Sequence, residues 1–182
     1  MKTESKQTWV TNALIILATL GRLIPHPANM TPVGAMALVG GAKLDKVSRW
    51  VVPFLAMALS DALLGLFFHV EPWSMVTPFI YGAFAISIFL GSHIKGSNRY
   101  LKLGAFSIVG SLQFFAVTNF GVWLSQGMYP KTVAGLLECY AMALPFLQNT
   151  FAGDLLWSFG LFVAIEKAGA WLQEKPVQTA SI

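Results

Sequence analysis

Apolar positions along the chain fall in long runs, not in the strict alternation of a half-buried strand or the one-sided stripe of a soluble helix. Runs of membrane length cover Thr8–Ile24, Trp50–Phe68, Pro78–Ile94, Leu103–Leu124 and Thr150–Ala168, each close to the roughly 20 apolar residues that one helical crossing needs. A further run, Thr31–Leu44, is apolar but shorter. At about 1.5 Å per residue it reaches roughly 21 Å, so it is either a short crossing or a re-entrant hairpin.

Composition turns this pattern into a class. Hydrophobic residues make up 55% of the 182 and charged residues only 11%, against roughly 25% charged in an ordinary soluble domain. Glycine, proline and tryptophan are all plentiful, as membrane helices and their interfaces tolerate. The length admits at most about six crossings with short connections, which predicts a single transmembrane domain over 1–182. Cys139 is the one cysteine, so an internal disulfide and any multi-cysteine metal site are excluded. The basic start with Lys2 and Lys6 hints at a signal peptide, but Thr19-Leu20-Gly21-Arg22 is a poor cleavage site.

The net charge of +4 has a sidedness. With six crossings and the N-terminus inside, Lys2, Lys6, Lys43, Lys46, Arg49, Lys95, Arg99, Lys102, Lys167 and Lys175 are cytoplasmic, and only Arg22 and Lys131 lie outside. With five crossings, Lys2 and Lys6 join Lys131 outside and a basic tail must be translocated. The positive-inside rule therefore favours six. The expectation is an all-α integral membrane protein, a six-helix transmembrane bundle with cytoplasmic N- and C-termini and a short second helix, multi-pass in a bacterial inner membrane. Its basicity then reflects orientation in the lipid bilayer, not a nucleic-acid partner.

The connections on the two sides differ. Inner loops are short and basic; the outer ones, His26–Met30, His69–Thr77 and Ser125–Asn149, carry proline and aromatic residues. The last is long enough to hold an element of its own. Thr132–Leu144 reads as an amphipathic outer helix before the last span, with Leu136, Leu137, Tyr140 and Leu144 on its apolar face and Glu138 off it. It either seals the bundle or acts as a lid.

Polar groups within a span usually face the bundle interior or a water-filled cavity. Arg22, Asp61, Asn119, Asn149 and Asp154 all sit in the outer halves of their helices, while the inner halves are nearly all apolar; Gln113 is the deepest polar candidate. A polar cluster open to one face suits a substrate pocket better than a channel. The competing reading is structural: Asp61 or Asp154 paired with Arg22, and Asn119 in an interhelical hydrogen bond. Trp73, Tyr81, Phe120, Trp123, Tyr129 and Tyr140 gather on the same side, as interfacial belt residues or as ligand-stacking rings. His26 and His69 lack a metal-binding spacing. Ala37-x-x-x-Gly41, Ala58-x-x-x-Ala62 and Ser87-x-x-x-Gly91 are small-residue faces for close helix packing, within the chain or against a partner. No Walker A, nucleophile-elbow or zinc-protease motif occurs, so neither ATP hydrolysis nor other catalysis by this chain is expected. Asp61 and Asp154 would make an acid and a base only if they met on one wall.

The segments Arg22-Leu-Ile-Pro-His-Pro-Ala-Asn-Met-Thr-Pro, Ser60-Asp61 with Gly65 and His69, Thr118-Asn-Phe-Gly-Val-Trp123, Tyr129-Pro-Lys-Thr and Asn149–Asp154 resemble an uncharacterised family of small bacterial membrane proteins. That family in turn is similar to the substrate-binding S components of energy-coupling factor (ECF) transporters, in its six short helices, short second helix and long outer connection before the last helix. The resemblance implies a vitamin-like or other small polar ligand bound near the outer face, no cofactor, and a transmembrane coupling subunit with ATPases as partner. It matches His26–Thr31 to the first outer loop and Tyr129–Asn149 to the outer gate, with Tyr81, Asn119, Trp123, Asn149 and Asp154 lining the pocket. Ala13 and Ala18 are five apart, which departs from the Ala-x-x-x-Ala docking motif and leaves a solitary transporter open. The expected substrate-binding residues are Arg22, His26, Asn29, Asp61, Tyr81, Asn119, Trp123, Tyr129, Asn149 and Asp154, with no catalytic residue and no metal ligand. The alternative is an accessory membrane protein whose outer polar cluster only holds helices together.

Overall fold

A computed structural model describes residues 2–69, 71 and 73–174. Lys175 lies outside the described residues, as do the side chains of Lys2 and Lys6, so three of the charges that set the expected orientation have no described position. The described chain is all helical: α1 (Lys2–Leu20) continued by a 3-10 turn (Gly21–Leu23), α2 (Val33–Lys43), α3 (Ser48–Phe68), α4 (Thr77–Gly91), α5 (Arg99–Ser125) and α6 (Val133–Glu174). The expected helices are all present, but their lengths change the membrane reading. Three of them, α3, α5 and α6, are long and apolar enough to cross a membrane, not six. The 11 residues of α2 and the 15 of α4 rise only about 17 and 23 Å at 1.5 Å per residue, short of a hydrocarbon core about 30 Å thick.

The outer faces of the long helices carry exposed leucine and phenylalanine, including Leu55, Leu59 and Leu66 on α3, Leu101 and Leu112 on α5, and Leu156 on α6. Apolar exposure on this scale fits contact with lipid and not with water.

The short α2 is the centre of the bundle and packs against all five other α-helices. Its small residues make this possible. A Cβ on Gly41 would strike the Ile88 carbonyl, and one on Gly91 would strike the Leu38 carbonyl, so α2 and α4 cross nearly backbone to backbone. The Ala37–Gly41 and Ser87–Gly91 faces thus meet each other and are not free for a partner. Ala62, in the third small-residue pair, is exposed. Met36, Leu38, Phe84, Ile88, Leu103 and Phe162 fill the core around this crossing.

The connection before the last span is where expectation and structure part most. Only residues 126–132 are non-helical; the expected amphipathic helix and the expected last span are one continuous helix of 42 residues. Nothing in Thr132–Asn149 breaks a helix except Pro145, which forfeits one backbone hydrogen bond and is tolerated in apolar helices. At about 63 Å, α6 is twice the thickness of a hydrocarbon core. Of the expected apolar face, Leu136 and Tyr140 are half-buried, with Tyr140 packed against Phe115 of α5, whereas Leu137 and Leu144 are exposed; Cys139, Met142, Ala143 and Phe146 line a cavity.

The two ends of the bundle carry different chemistry. At one end Glu166 of α6 accepts hydrogen bonds from Lys43 Nζ at 2.8 Å, Arg99 Nε at 2.9 Å and Tyr100 Oη at 2.6 Å. These bonds join the end of α2, the start of α5 and α6. At the other end lies the cavity. Because α2 runs unbroken from Val33 at the cavity to Lys43 at Glu166, it passes from end to end and is not a re-entrant hairpin.

Candidate functional site

The cavity holds about 570 Å³ and is walled by every described helix except α2, whose first residue, Val33, reaches its edge; α1 contributes through the turn that follows it. That turn supplies Arg22, and the segment after it supplies Asn29 and Thr31. Pro25 and Pro27 have no backbone N–H to continue a helix, so the chain leaves α1 here and carries Arg22 across to α3. α3 adds Met57, Asp61 and Leu64, and α4 adds Ile80 and Tyr81. α5 lines the opposite wall with Phe114, Phe115, Thr118, Asn119 and Val122, and α6 closes it from Cys139 down to Asp154.

Arg22 is the hub of a clamp between helices. Its Nη1 donates to Asp61 Oδ1 at 2.7 Å, to the Ser60 hydroxyl, and to the Met57 sulfur at 3.3 Å. Tyr81 donates its hydroxyl to the other carboxylate oxygen of Asp61 at 3.0 Å. One ion pair therefore ties the end of α1, the middle of α3 and the start of α4, with side chains only 15% and 10% exposed. The structural reading of Asp61 is thus realised, and the cavity is present beside it.

Asp154 is different. It is 7% exposed, accepts a hydrogen bond from Ser111 Oγ at 2.6 Å, and takes part in none of the salt bridges among the described residues. A Cβ on Gly34 would overlap its carboxylate, so the acid rests directly against the α2 backbone. Asp61 and Asp154 line the same cavity from different helices, α3 and α6, and Asp61 is committed to Arg22.

Seven of the expected site residues line this cavity: Arg22, Asn29, Asp61, Tyr81, Asn119, Tyr129 and Asp154. Asn29 adopts a left-handed conformation, φ 63°, as asparagine in a tight turn can. The Asn119 side chain turns back along its own helix, its amide donating to Phe115 O at 2.8 Å; its bond to α6 is through the backbone carbonyl, which accepts from Cys139. The other three lie elsewhere and hold the connections. His26 is exposed, with Nδ1 2.8 Å from the Ile24 carbonyl. Trp123 donates to Pro130 O at 2.9 Å and carries Lys131 5.5 Å over its ring. Asn149 donates to Ala28 O at 3.0 Å, pinning the first outer segment to α6. Gln113 is a packing residue, donating to Ala83 O and Ser87 Oγ, both at 2.9 Å. Cys139 is buried on α6.

Glu71, Thr118, Phe114, Phe115 and Thr150 also line the cavity and had not been expected there. Within an apolar run, phenylalanines give no sign of which face looks inward. Ser111 had a readable signal: Ser107 and Ser111 stand one turn apart on α5, as Asp154 and Ser158 do on α6.

The chain belongs to a family of unknown function (DUF6580), which matches residues 2–176. Neither a curated protein nor a solved structure matches it.

Proposed function

We propose that this chain is the substrate-binding subunit of a membrane uptake system, similar to an ECF S component, and takes a vitamin-like or other small polar molecule into its cavity from outside. The cavity carries the reading. Its 570 Å³ lies within the roughly 300–1,000 Å³ of small-molecule sites, with apolar walls and a few convergent polar groups. It lies at the end away from Lys43 and Arg99; by the positive-inside rule that basic end is cytoplasmic, so the cavity faces outward. In this reading the chain sits in a bacterial inner membrane with both termini cytoplasmic and binds without catalysis. A coupling subunit with ATPases, or an ion gradient, supplies the energy.

Native mass spectrometry of the protein purified from its host should reveal a retained small molecule, and thermal shifts with a vitamin and metabolite panel should identify its class. Ala143→Trp fills the cavity from α6 and should abolish both signals while helicity is unchanged. No retained mass and no shift across the panel would leave the accessory reading, in which the polar cluster serves to hold helices. That second reading is favoured by the closed Arg22–Asp61–Tyr81 network.

A further inference from the structure

Beneath the main cavity Asp154 also borders a second space of about 10 Å³, room for about one water-sized particle. Its polar walls are Asp154 and Ser158 from α6, Ser107 from α5 and Ser87 from α4, with Gly34 and Gly110 beside them. The hydroxyl oxygens of Ser107 and Ser158 have no hydrogen-bond partner, although these residues are only 2% and 0% exposed. Buried polar groups are nearly always satisfied, so two orphaned hydroxyls facing one small space indicate an occupant. The carboxylate on the same wall has one hydrogen bond, from Ser111, and no salt-bridge partner among the described residues. Burying a charge without a counter-charge is costly.

A water molecule would satisfy the hydroxyls and a proton would neutralise the carboxyl; a single cation does both. One carboxylate balances one positive charge, and a set of carboxylate and hydroxyl oxygens suits a hard ion. Beside a single carboxylate a divalent calcium or magnesium would keep an uncompensated charge, whereas a monovalent ion is balanced. We propose that the space between α5 and α6 is a sodium site, held by the Asp154 carboxylate and the hydroxyls of Ser107 and Ser158. The spacing supports it: Asp154 and Ser158 lie one turn apart on α6, and Ser107 lines the same space from α5. Gly34 closes the third side with bare backbone, since any side chain there would displace the carboxylate. Asp154 borders both spaces, so occupancy of the small space sets the charge that Asp154 presents to the main cavity. The site stands on its own geometry and does not depend on the uptake reading.

The test uses the full chain in detergent, with choline chloride replaced by sodium chloride at constant ionic strength. Tryptophan fluorescence should report a melting temperature that rises with sodium and saturates, and radioactive sodium should be retained at one ion per chain. Potassium, being larger, should not substitute. Asp154→Asn and Ser158→Ala should each lose retention and the sodium-dependent rise, with helicity by circular dichroism confirming that both fold. Glu138→Gln, on an exposed part of α6, should keep both signals. Absence of retention in the wild-type chain, equal stabilisation by potassium, or full retention in folded Asp154→Asn overturns the proposal.

Discussion

Replacing Arg22 by methionine keeps most of the length and apolar bulk of the side chain but removes the guanidinium. Asp61 is then left with the Tyr81 hydroxyl as its one remaining partner among the bonds described above. Breaking a buried ion pair by removing one member costs about 3–5 kcal/mol, because the other charge stays buried and uncompensated. The side chains here are 15% and 10% exposed, so some water reaches the pair and the lower end, about 3 kcal/mol, is expected. For a chain of this size each kcal/mol moves the melting temperature by about 2–4 °C, giving a fall of about 6–12 °C. Asp61→Asn should cost a similar amount, since it strands the Arg22 charge against an amide, a hydroxyl and a thioether. The double variant contains neither charge and should be more stable than the sum of the two losses predicts, by at least about 1.5 kcal/mol. Thermal unfolding in detergent, followed by tryptophan fluorescence, measures all three. If Arg22→Met and Asp61→Asn melt within about 2 °C of wild type, or if their effects simply add, the clamp does not hold the helix ends together.

Two glycine substitutions should have opposite signs. Gly41→Ala puts a Cβ into the Ile88 carbonyl, where backbone cannot give, and should lower stability by about 1–3 kcal/mol. Gly82→Ala meets nothing within 4 Å and should raise stability by up to about 1 kcal/mol through helix preference; thermal melts that fail to rank them this way refute the α2–α4 crossing. Glu166→Gln removes the charge that Lys43, Arg99 and Tyr100 share and should cost about 1.5–3 kcal/mol, more than Lys43→Met, which leaves two donors in place. Hydrogen bonds from Ser48 and from the Val47 amide hold the Asp45 carboxyl down at about 2 from an ordinary 3.8. Because its folded pKa is depressed, the stabilisation is present above about pH 4 and is lost as pH falls towards 2. A carboxyl-carbon NMR titration should place its midpoint near 2; an ordinary midpoint would show that the α2–α3 turn is not formed.

The order of helices and their approximate limits were legible because burial in a bundle or in lipid demands apolar runs, and such runs can be read without knowing what they touch. The ends of α3 and α5 come within a few residues of the apolar runs at Trp50–Phe68 and Leu103–Leu124. The joining of Thr132–Leu144 to the last span was not legible. Proline and a more polar stretch normally mark a boundary, yet packing against α5, with Cys139 bonded to the Asn119 carbonyl and Tyr140 to that of Ala116, carries the helix through.

What the sequence by itself determined is the class: all helical, apolar, with Asp61, Asn119, Asn149 and Asp154 in the same half of their helices. Depth along a helix is readable from position, so seven of ten nominated residues reach one cavity. What tertiary structure alone decided is partnership. Which acid meets Arg22, which acid remains without a counter-charge, and which serines are left without a bond all depend on how helices rotate and cross. Those rotations are set by close contacts such as Gly41 against Ile88 and Gly34 against Asp154, made between residues far apart in the chain, and no local pattern specifies them.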